Sequence, residues 1–222
     1  MKAGSHAWVD VWLDFICPFS YVQLPVFDQL RAQYGDALKL RWRAFEICPD
    51  PAPPIDMDDE TLIALCVEKV FPLARERQVE LKLPKSKVPR TRKAFMTAFA
   101  ARDAGKFEEL QRAIFRAFFV AGVDISDTSA LLDIAYSCGL NKADVANLLR
   151  SSTLENDIVA DIRLAESIGI TGVPFALVSR SDGDIRDSAS PTVGIHGTAP
   201  LQDFRQAISH LFPEGLPRAA AG

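Results

Sequence analysis

Residues 14–21 read DFICPFSY, and this stretch changes from a strand pattern to a helix pattern at one cysteine. Before it, residues 8–15 alternate in polarity, which is the period of a strand. After it, Pro18 suits the first turn of a helix, and apolar residues at helical spacing continue to Tyr34, where Gly35 ends the helix. Residues 38–45 alternate again, so the first part is predicted to be β-α-β with parallel strands.

The rest of the chain divides into a helical part and a second mixed part. A proline-rich linker, residues 48–59, precedes about 100 residues with helical spacing and no strand pattern. Asp127 and Asn141 are predicted to cap two of these helices. A helix over 154–168 follows, then short strands over 175–178 and 192–195, a turn at 182–184, and a final helix over 199–211. A helical module therefore interrupts an α/β module.

Composition excludes several classes of protein. The chain has 222 residues, 48% of them hydrophobic and 24% charged, which is typical of a globular protein. Its net charge of −4 argues against a nucleic-acid partner, and no apolar run reaches the roughly 18 residues of a membrane helix. Four cysteines are too few for a disulfide scaffold. Because the first residues lack the apolar stretch of a secretory signal, a cytoplasmic location is expected.

Cys17 is the candidate reactive residue. It stands where a strand meets a helix, and the free backbone N–H groups of a helix start stabilise an anion. We therefore expect a lowered thiol pKa, since the thiolate is the reactive form. Ser20 follows one helical turn later, and its hydroxyl could donate to a sulfur anion. Pro18 and Phe19 lie between them and are predicted to contact a ligand.

A second motif is Gly-Val-Pro at residues 172–174, directly before a predicted strand. Pro174 is a candidate for a cis peptide bond. Beside a thiol, such a proline would leave the backbone of Val173 free to pair with an incoming thiol or peptide.

Together these features resemble the DsbA-type thioredoxin superfamily. RWRAFE at residues 41–46, the linker prolines, and Phe118-Phe119 with DISD at 124–127 are more narrowly similar to the FrnE-like thiol–disulfide oxidoreductases. The resemblance covers about residues 8 to 211. It implies a thioredoxin-like α/β domain, residues 1–55 and 153–222, with an inserted all-helical domain at 56–152. It also implies catalytic roles for Cys17, Ser20 and Pro174.

Ser20 departs from that family pattern, which has a second cysteine at this position. A lone thiol cannot release a mixed-disulfide partner as a dithiol does. Kappa-class glutathione transferases and 2-hydroxychromene-2-carboxylate isomerases resemble the chain in this respect, since they carry a serine motif there and bind glutathione. That likeness implies that Thr198, before the last helix, helps to bind glutathione; the alternative is a plain cap of that helix.

The other cysteines and the histidines carry weaker predictions. Cys66 and Cys138 fall on apolar helix faces and are interpreted as core residues. Cys48 follows the second strand at the sheet edge that also carries Cys17, so it is either a resolving thiol or a small residue packed in the linker. The histidines are too isolated for a metal site, and no metal or permanently bound cofactor is expected.

Three functions remain open on the sequence. The first is a monothiol thiol–disulfide oxidoreductase that acts on a thiol or disulfide substrate, with glutathione as cosubstrate. The second is a glutathione-dependent isomerase or transferase that acts on an aromatic or electrophilic small molecule. The third is a binding domain without catalysis. A homodimer is left open.

Overall fold

A computed structural model describes residues 6–53, 55–56, 59–83, 88–180 and 191–219. It confirms the predicted β-α-β unit, with β1 at Ala7–Leu13, α1 at Pro18–Tyr34 and β2 at Leu38–Ala44. The two strands are parallel. Gly35 ends α1 with φ of +52°, a conformation that glycine adopts without steric cost.

Two more strands complete a mixed sheet: β3 at Phe175–Ser179 and β4 at Thr192–His196. The strand order is β2-β1-β3-β4, and β3 runs antiparallel to both of its neighbours. Strand β1 is therefore central, and its carboxyl end leads directly into the DFICPFSY stretch. The predicted turn at residues 182–184 lies outside the described residues.

The helical part begins with α2 at Glu60–Leu65, a π-helical turn at Cys66–Val70 and α3 at Phe71–Glu76. It continues with α4 at Arg92–Ala100, α5 at Phe107–Phe119, α6 at Thr128–Ser137 and α7 at Lys142–Leu148. The last helices are α8 at Ser152–Ser167 and α9 at Leu201–Leu211. As predicted, the side chains of Asp127 and Asn141 accept hydrogen bonds from the first N–H groups of α6 and α7. Within the described ranges, no helix is both long and apolar enough to span a bilayer.

Aromatic rings join the sheet to the inserted helices. Phe15 contacts Phe95 and Phe115, with ring centroids 4.8 and 5.0 Å apart. Tyr21 stacks on Phe115 and Phe119 at 5.2 and 5.4 Å. The predicted domain boundaries remain a prediction, but the apolar core is continuous across them.

A buried charge network fixes α8 to the edge strand β2. Asp161 on α8 accepts hydrogen bonds from the Arg43 guanidinium at 2.8 Å and from the Ala44 N–H at 3.0 Å. Arg43 also pairs with Asp10, a carboxylate with no solvent exposure on β1. Because each buried carboxylate is paired, the network can link α8 to both strands without leaving an unpaired buried charge.

Candidate active site

The structure brings the two predicted motifs together at Cys17. This residue is 4% exposed and caps the N-terminus of α1, where its sulfur accepts a hydrogen bond from the Ser20 N–H at 3.4 Å. Its thiol donates to the carbonyl oxygen of Val173 at 3.3 Å. The Val173–Pro174 peptide bond is cis, as predicted.

Ser20 is the second predicted site residue, and it is 1% exposed. Its side chain hydrogen bonds to the Cys17 sulfur and favours the thiolate. The same hydroxyl oxygen lies 3.5 Å from the Asp14 N–H, which donates to it. Ser20 thus contacts the thiol through both its backbone and its side chain.

The expectation of a lowered thiol pKa is wrong for this arrangement. Burial raises the pKa of Cys17 to about 11, although hydrogen bonds from the side chain and backbone of Ser20 act in the opposite direction. Removal of water from the thiolate outweighs the stabilisation that the helix start provides. The neutral thiol is therefore the favoured form of Cys17 at pH 7 in this structure.

Asp14 is a site residue that the sequence reasoning missed. It is fully buried three residues before Cys17, and its carboxyl accepts hydrogen bonds from the Ile47 N–H at 2.7 Å and from the Thr91 side chain. Burial raises the pKa of Asp14 to about 7. Its negative charge in turn raises the pKa of Cys17. In the sequence, Asp14 falls on the polar side of an alternating strand pattern, which does not indicate that its side chain is buried.

A cavity of about 560 Å³ opens beside Cys17. Pro18, Phe19 and Val173, three predicted ligand contacts, line it, together with Phe118 and Phe119 from α5. Most of the lining is apolar. Among the described lining residues only Glu46 is charged, and both of its oxygens bond to Arg92. A ligand in this cavity would therefore meet mainly hydrocarbon surface and the Cys17 thiol beside it.

Cys48 does not line this cavity. Its thiol donates to the Pro53 carbonyl at 2.9 Å, and an Arg90 nitrogen lies 3.0 Å from the sulfur. Its role as a resolving thiol remains a prediction, and the structure gives the Cys48 and Cys17 thiols separate partners. Cys66 and Cys138 are buried as predicted, at 1% and 5% exposure. Cys66, however, also lines the cavity.

Thr198 stands apart from the cavity. It lines a separate pocket with His196 and His210, and Pro200, not Thr198, takes the cap position of α9. The cap interpretation is thus wrong because the helix begins two residues later than the sequence pattern indicated. In the ranges that the structure describes, no three metal-ligating side chains converge.

A mixed four-stranded sheet, with a cysteine at the start of the first helix and a cis-proline opposite it, defines a protein of the thioredoxin-like class. The family model of the DSBA-like thioredoxin domain matches residues 8–209, so the chain belongs to that family.

Two known proteins are similar to this chain over nearly its whole length. YwbO of Bacillus subtilis, an uncharacterised protein, is 28% identical over 204 residues, which are 90% of this chain and 95% of YwbO. The probable DsbA oxidoreductase SCO1869 of Streptomyces coelicolor is 22% identical, with a TM-score of 0.75 and coverage of 98% of this chain and 100% of its own.

Two further structures resemble the chain at lower identity. A 2-hydroxychromene-2-carboxylate isomerase is 16% identical with a TM-score of 0.68 and covers 93% of this chain and 97% of its own. The cytosolic disulfide reductase DsbM of Pseudomonas aeruginosa, solved with glutathione, is 16% identical with a TM-score of 0.62 and covers 84% and 89%. At these identities the structures establish the fold alone.

Proposed function

We propose that this protein is a thiol–disulfide oxidoreductase in which Cys17 is the thiol that attacks the substrate and glutathione is the cosubstrate. The observation that carries the proposal is the position of the Cys17 sulfur, which lies between the Ser20 N–H and the Val173 carbonyl. One neighbour stabilises a sulfur anion, and the other is an exchangeable partner that a substrate can displace. The family, whose members include disulfide oxidoreductases and reductases, supports this chemistry.

Substrate binding would activate the thiol. The Val173 carbonyl accepts a hydrogen bond from the thiol and so favours its neutral form. If a backbone N–H of the incoming substrate donates to that carbonyl in place of the thiol, the sulfur keeps the Ser20 donors and loses its acceptor. The loss of that acceptor favours the thiolate, which is the attacking form.

The reaction balances in two exchanges. The Cys17 thiolate attacks the glutathione sulfur of a glutathionylated substrate, so a Cys17–glutathione disulfide forms and the substrate thiolate leaves. A glutathione thiolate then attacks that disulfide, which releases oxidised glutathione and restores the Cys17 thiolate. Ser20 stabilises the sulfur anion at the start and end of the cycle.

Reduction of a glutathionylated peptide by reduced glutathione tests the proposal. We expect turnover in the wild type and background rates in Cys17→Ser. Cys138→Ser is the matched control, because Cys138 is equally buried but lies in the inserted helices, away from the cavity. Turnover that survives Cys17→Ser would contradict the proposal.

A second candidate is a glutathione-dependent isomerase or transferase for an aromatic or electrophilic small molecule. The apolar cavity and the neutral Cys17 thiol favour it, because a neutral thiol can donate a hydrogen bond to a bound glutathione thiolate. The fold of the isomerase supports this alternative. Glutathione conjugation or isomerisation that persists in Cys17→Ser would favour it over redox exchange.

A binding domain without catalysis is the remaining alternative. This alternative would be favoured if iodoacetamide did not modify Cys17 up to pH 10 and the protein bound no glutathione.

The cytosolic disulfide reductase with the same fold supports our expectation of a cytoplasmic location. Detection of the native protein in cell fractions tests that expectation.

A further inference from the structure

Two thiols open onto one cavity. Cys17 reaches it from the start of α1, and Cys66 reaches it from the π-helical turn between α2 and α3. Leu62 and Leu83 line the same region as Cys66. A group held by Cys17 in this cavity therefore shares a mostly apolar space with a second cysteine.

The environment of Cys66 differs from that of the other cysteines. The thiols of Cys17 and Cys48 donate to carbonyl oxygens, and Cys138 bonds to the Ser137 side chain. For Cys66, which is 1% exposed, no hydrogen-bond partner occurs among the residues placed by the structure. No native bond would have to break for this thiol to turn into the cavity.

The backbone at Cys66 is also unusual. The five residues Cys66–Val70 form a π turn inside an otherwise α-helical stretch. A π turn holds one more residue than an α turn, so moving the extra residue along the helix rotates the side chains that it passes. Such a shift would turn the Cys66 side chain without unfolding the helix.

We propose that Cys66 is a second redox-active thiol of this site and that it resolves mixed disulfides on Cys17. The inference rests on the proposed function. The Cys66 thiolate attacks the Cys17 sulfur of the mixed disulfide, a Cys17–Cys66 disulfide forms, and the bound thiol leaves with the electron pair. A proton from Cys66 passes to water, and an external thiol such as glutathione later reduces the internal disulfide.

Both cysteines are free in the structure, so a Cys17–Cys66 disulfide requires the two residues to approach each other. A disulfide needs Cα atoms within roughly 4.4–6.8 Å. The wall that carries Cys66 packs on α1 through contacts of Cys66, Val70 and Ala74 with Val22, all buried apolar neighbours. Arg77, directly after α3, also donates to the Val22 carbonyl at 3.1 Å and to the Gln23 side chain at 2.6 Å. The approach would therefore come from the π turn itself, while these bonds keep the end of α3 on α1.

Disulfide mapping tests the inference without relying on turnover. The reduced protein is oxidised with copper phenanthroline, its free thiols are alkylated, and its peptides are mapped by mass spectrometry. We expect a Cys17–Cys66 linkage in the wild type and in the matched control Cys48→Ala. A linkage of Cys17 to Cys48, or no linkage of Cys17, would overturn the inference.

The variants Cys66→Ala and Cys66→Ser extend the test to the mixed disulfide. After incubation with oxidised glutathione, Cys17 should retain on the order of tenfold more glutathione in both variants than in Cys48→Ala, because the internal resolving thiol is gone. Equal retention would contradict the inference. Circular dichroism spectra that match the wild type show that the variants are folded.

The proposed function and the role of Cys66 can be refuted independently of each other. Turnover of the glutathionylated peptide without a Cys17–Cys66 linkage would leave the proposed function standing and remove the role of Cys66. A linkage without turnover would keep the thiol pair and refute the proposed function.

Discussion

Cys17 and Val173 are 156 positions apart in the chain, yet the thiol of the first donates a hydrogen bond to the carbonyl of the second at 3.3 Å. This contact joins the start of α1 to the segment that enters β3, and it exists only because β1 and β3 are neighbours in the sheet. It favours the protonated sulfur, and both residues line an apolar cavity.

The first prediction concerns the pH dependence of Cys17 alkylation. Because burial raises the pKa of this thiol to about 11, the thiolate fraction grows throughout the range from pH 7 to pH 10. The rate of iodoacetamide modification of Cys17, followed by peptide mass spectrometry, should rise over this range without a plateau. A plateau below pH 8 would show a thiolate that is stabilised in the resting protein. Fully unfolded protein, with a plateau near its ordinary thiol pKa, is the control.

The second prediction concerns Asp14. Its negative charge raises the pKa of Cys17, so Asp14→Asn should lower that pKa and speed alkylation of Cys17 at pH 8 several-fold. Below pH 6 the difference should shrink, because the pKa of Asp14 is about 7 and its carboxyl is then protonated in the wild type. Asp28→Asn, an exposed carboxylate on α1, should leave the rate unchanged. Equal rates in all three proteins at pH 8 would refute the electrostatic coupling.

The third prediction restores the dithiol. Ser20 touches the Cys17 sulfur with its side chain, so Ser20→Cys places two thiols within bonding reach at the helix start. We expect this variant to form a disulfide between Cys17 and the introduced cysteine and to gain insulin reductase activity with dithiothreitol, measured by turbidity. Ser20→Ala, which removes the hydroxyl without adding a thiol, is the control and should show no gain. If Ser20→Cys reduced insulin no faster than the wild type, the missing second cysteine would not be what limits dithiol chemistry in this protein.

The fourth prediction concerns stability. Asp161→Ala removes a carboxylate that is almost fully buried. The Ala44 N–H then loses its side-chain acceptor and Arg43 loses one of its two carboxylate partners. The free energy of unfolding should therefore fall by about 3 kcal/mol. Asp157→Ala on the same helix removes a half-exposed carboxylate 3.9 Å from Arg102 and should cost less than about 1 kcal/mol. Urea unfolding measures both. Similar losses in the two variants would show that the buried network adds nothing specific.

Local signals in the sequence predicted most of the fold. Alternation in residues 8–15 and 38–45, the glycine at position 35 and the capping residues Asp127 and Asn141 act over a few residues, so one chain reveals them. The position of Cys17 beside Pro174 followed from the family resemblance, not from spacing. Strand β4 and helix α9 were predicted to within two residues of their bounds.

Features that depend on distant packing were not predictable. The raised pKa values of Cys17 and Asp14 result from burial, and Asp14 also bonds to Ile47 and Thr91, which are distant from it in the chain. Cys66 has the apolar spacing of a core residue, and nothing local shows that its helix face borders a cavity. Thr198 has the residue type of a cap, but the chain continues to Pro200 before the helix begins.

The rings of Phe95, Phe115 and Phe119 contact aromatic residues on both sides of the reactive cysteine, Phe15 before it and Tyr21 after it. The inserted helices therefore help to set the position of the Cys17 sulfur, and they cannot be exchanged as an independent domain. A chimaera that carried the insertion of a distant relative would inherit a displaced thiol unless these five rings were transplanted together. We therefore expect substitutions of these rings in the inserted helices to be accompanied, during evolution, by substitutions at Phe15 and Tyr21.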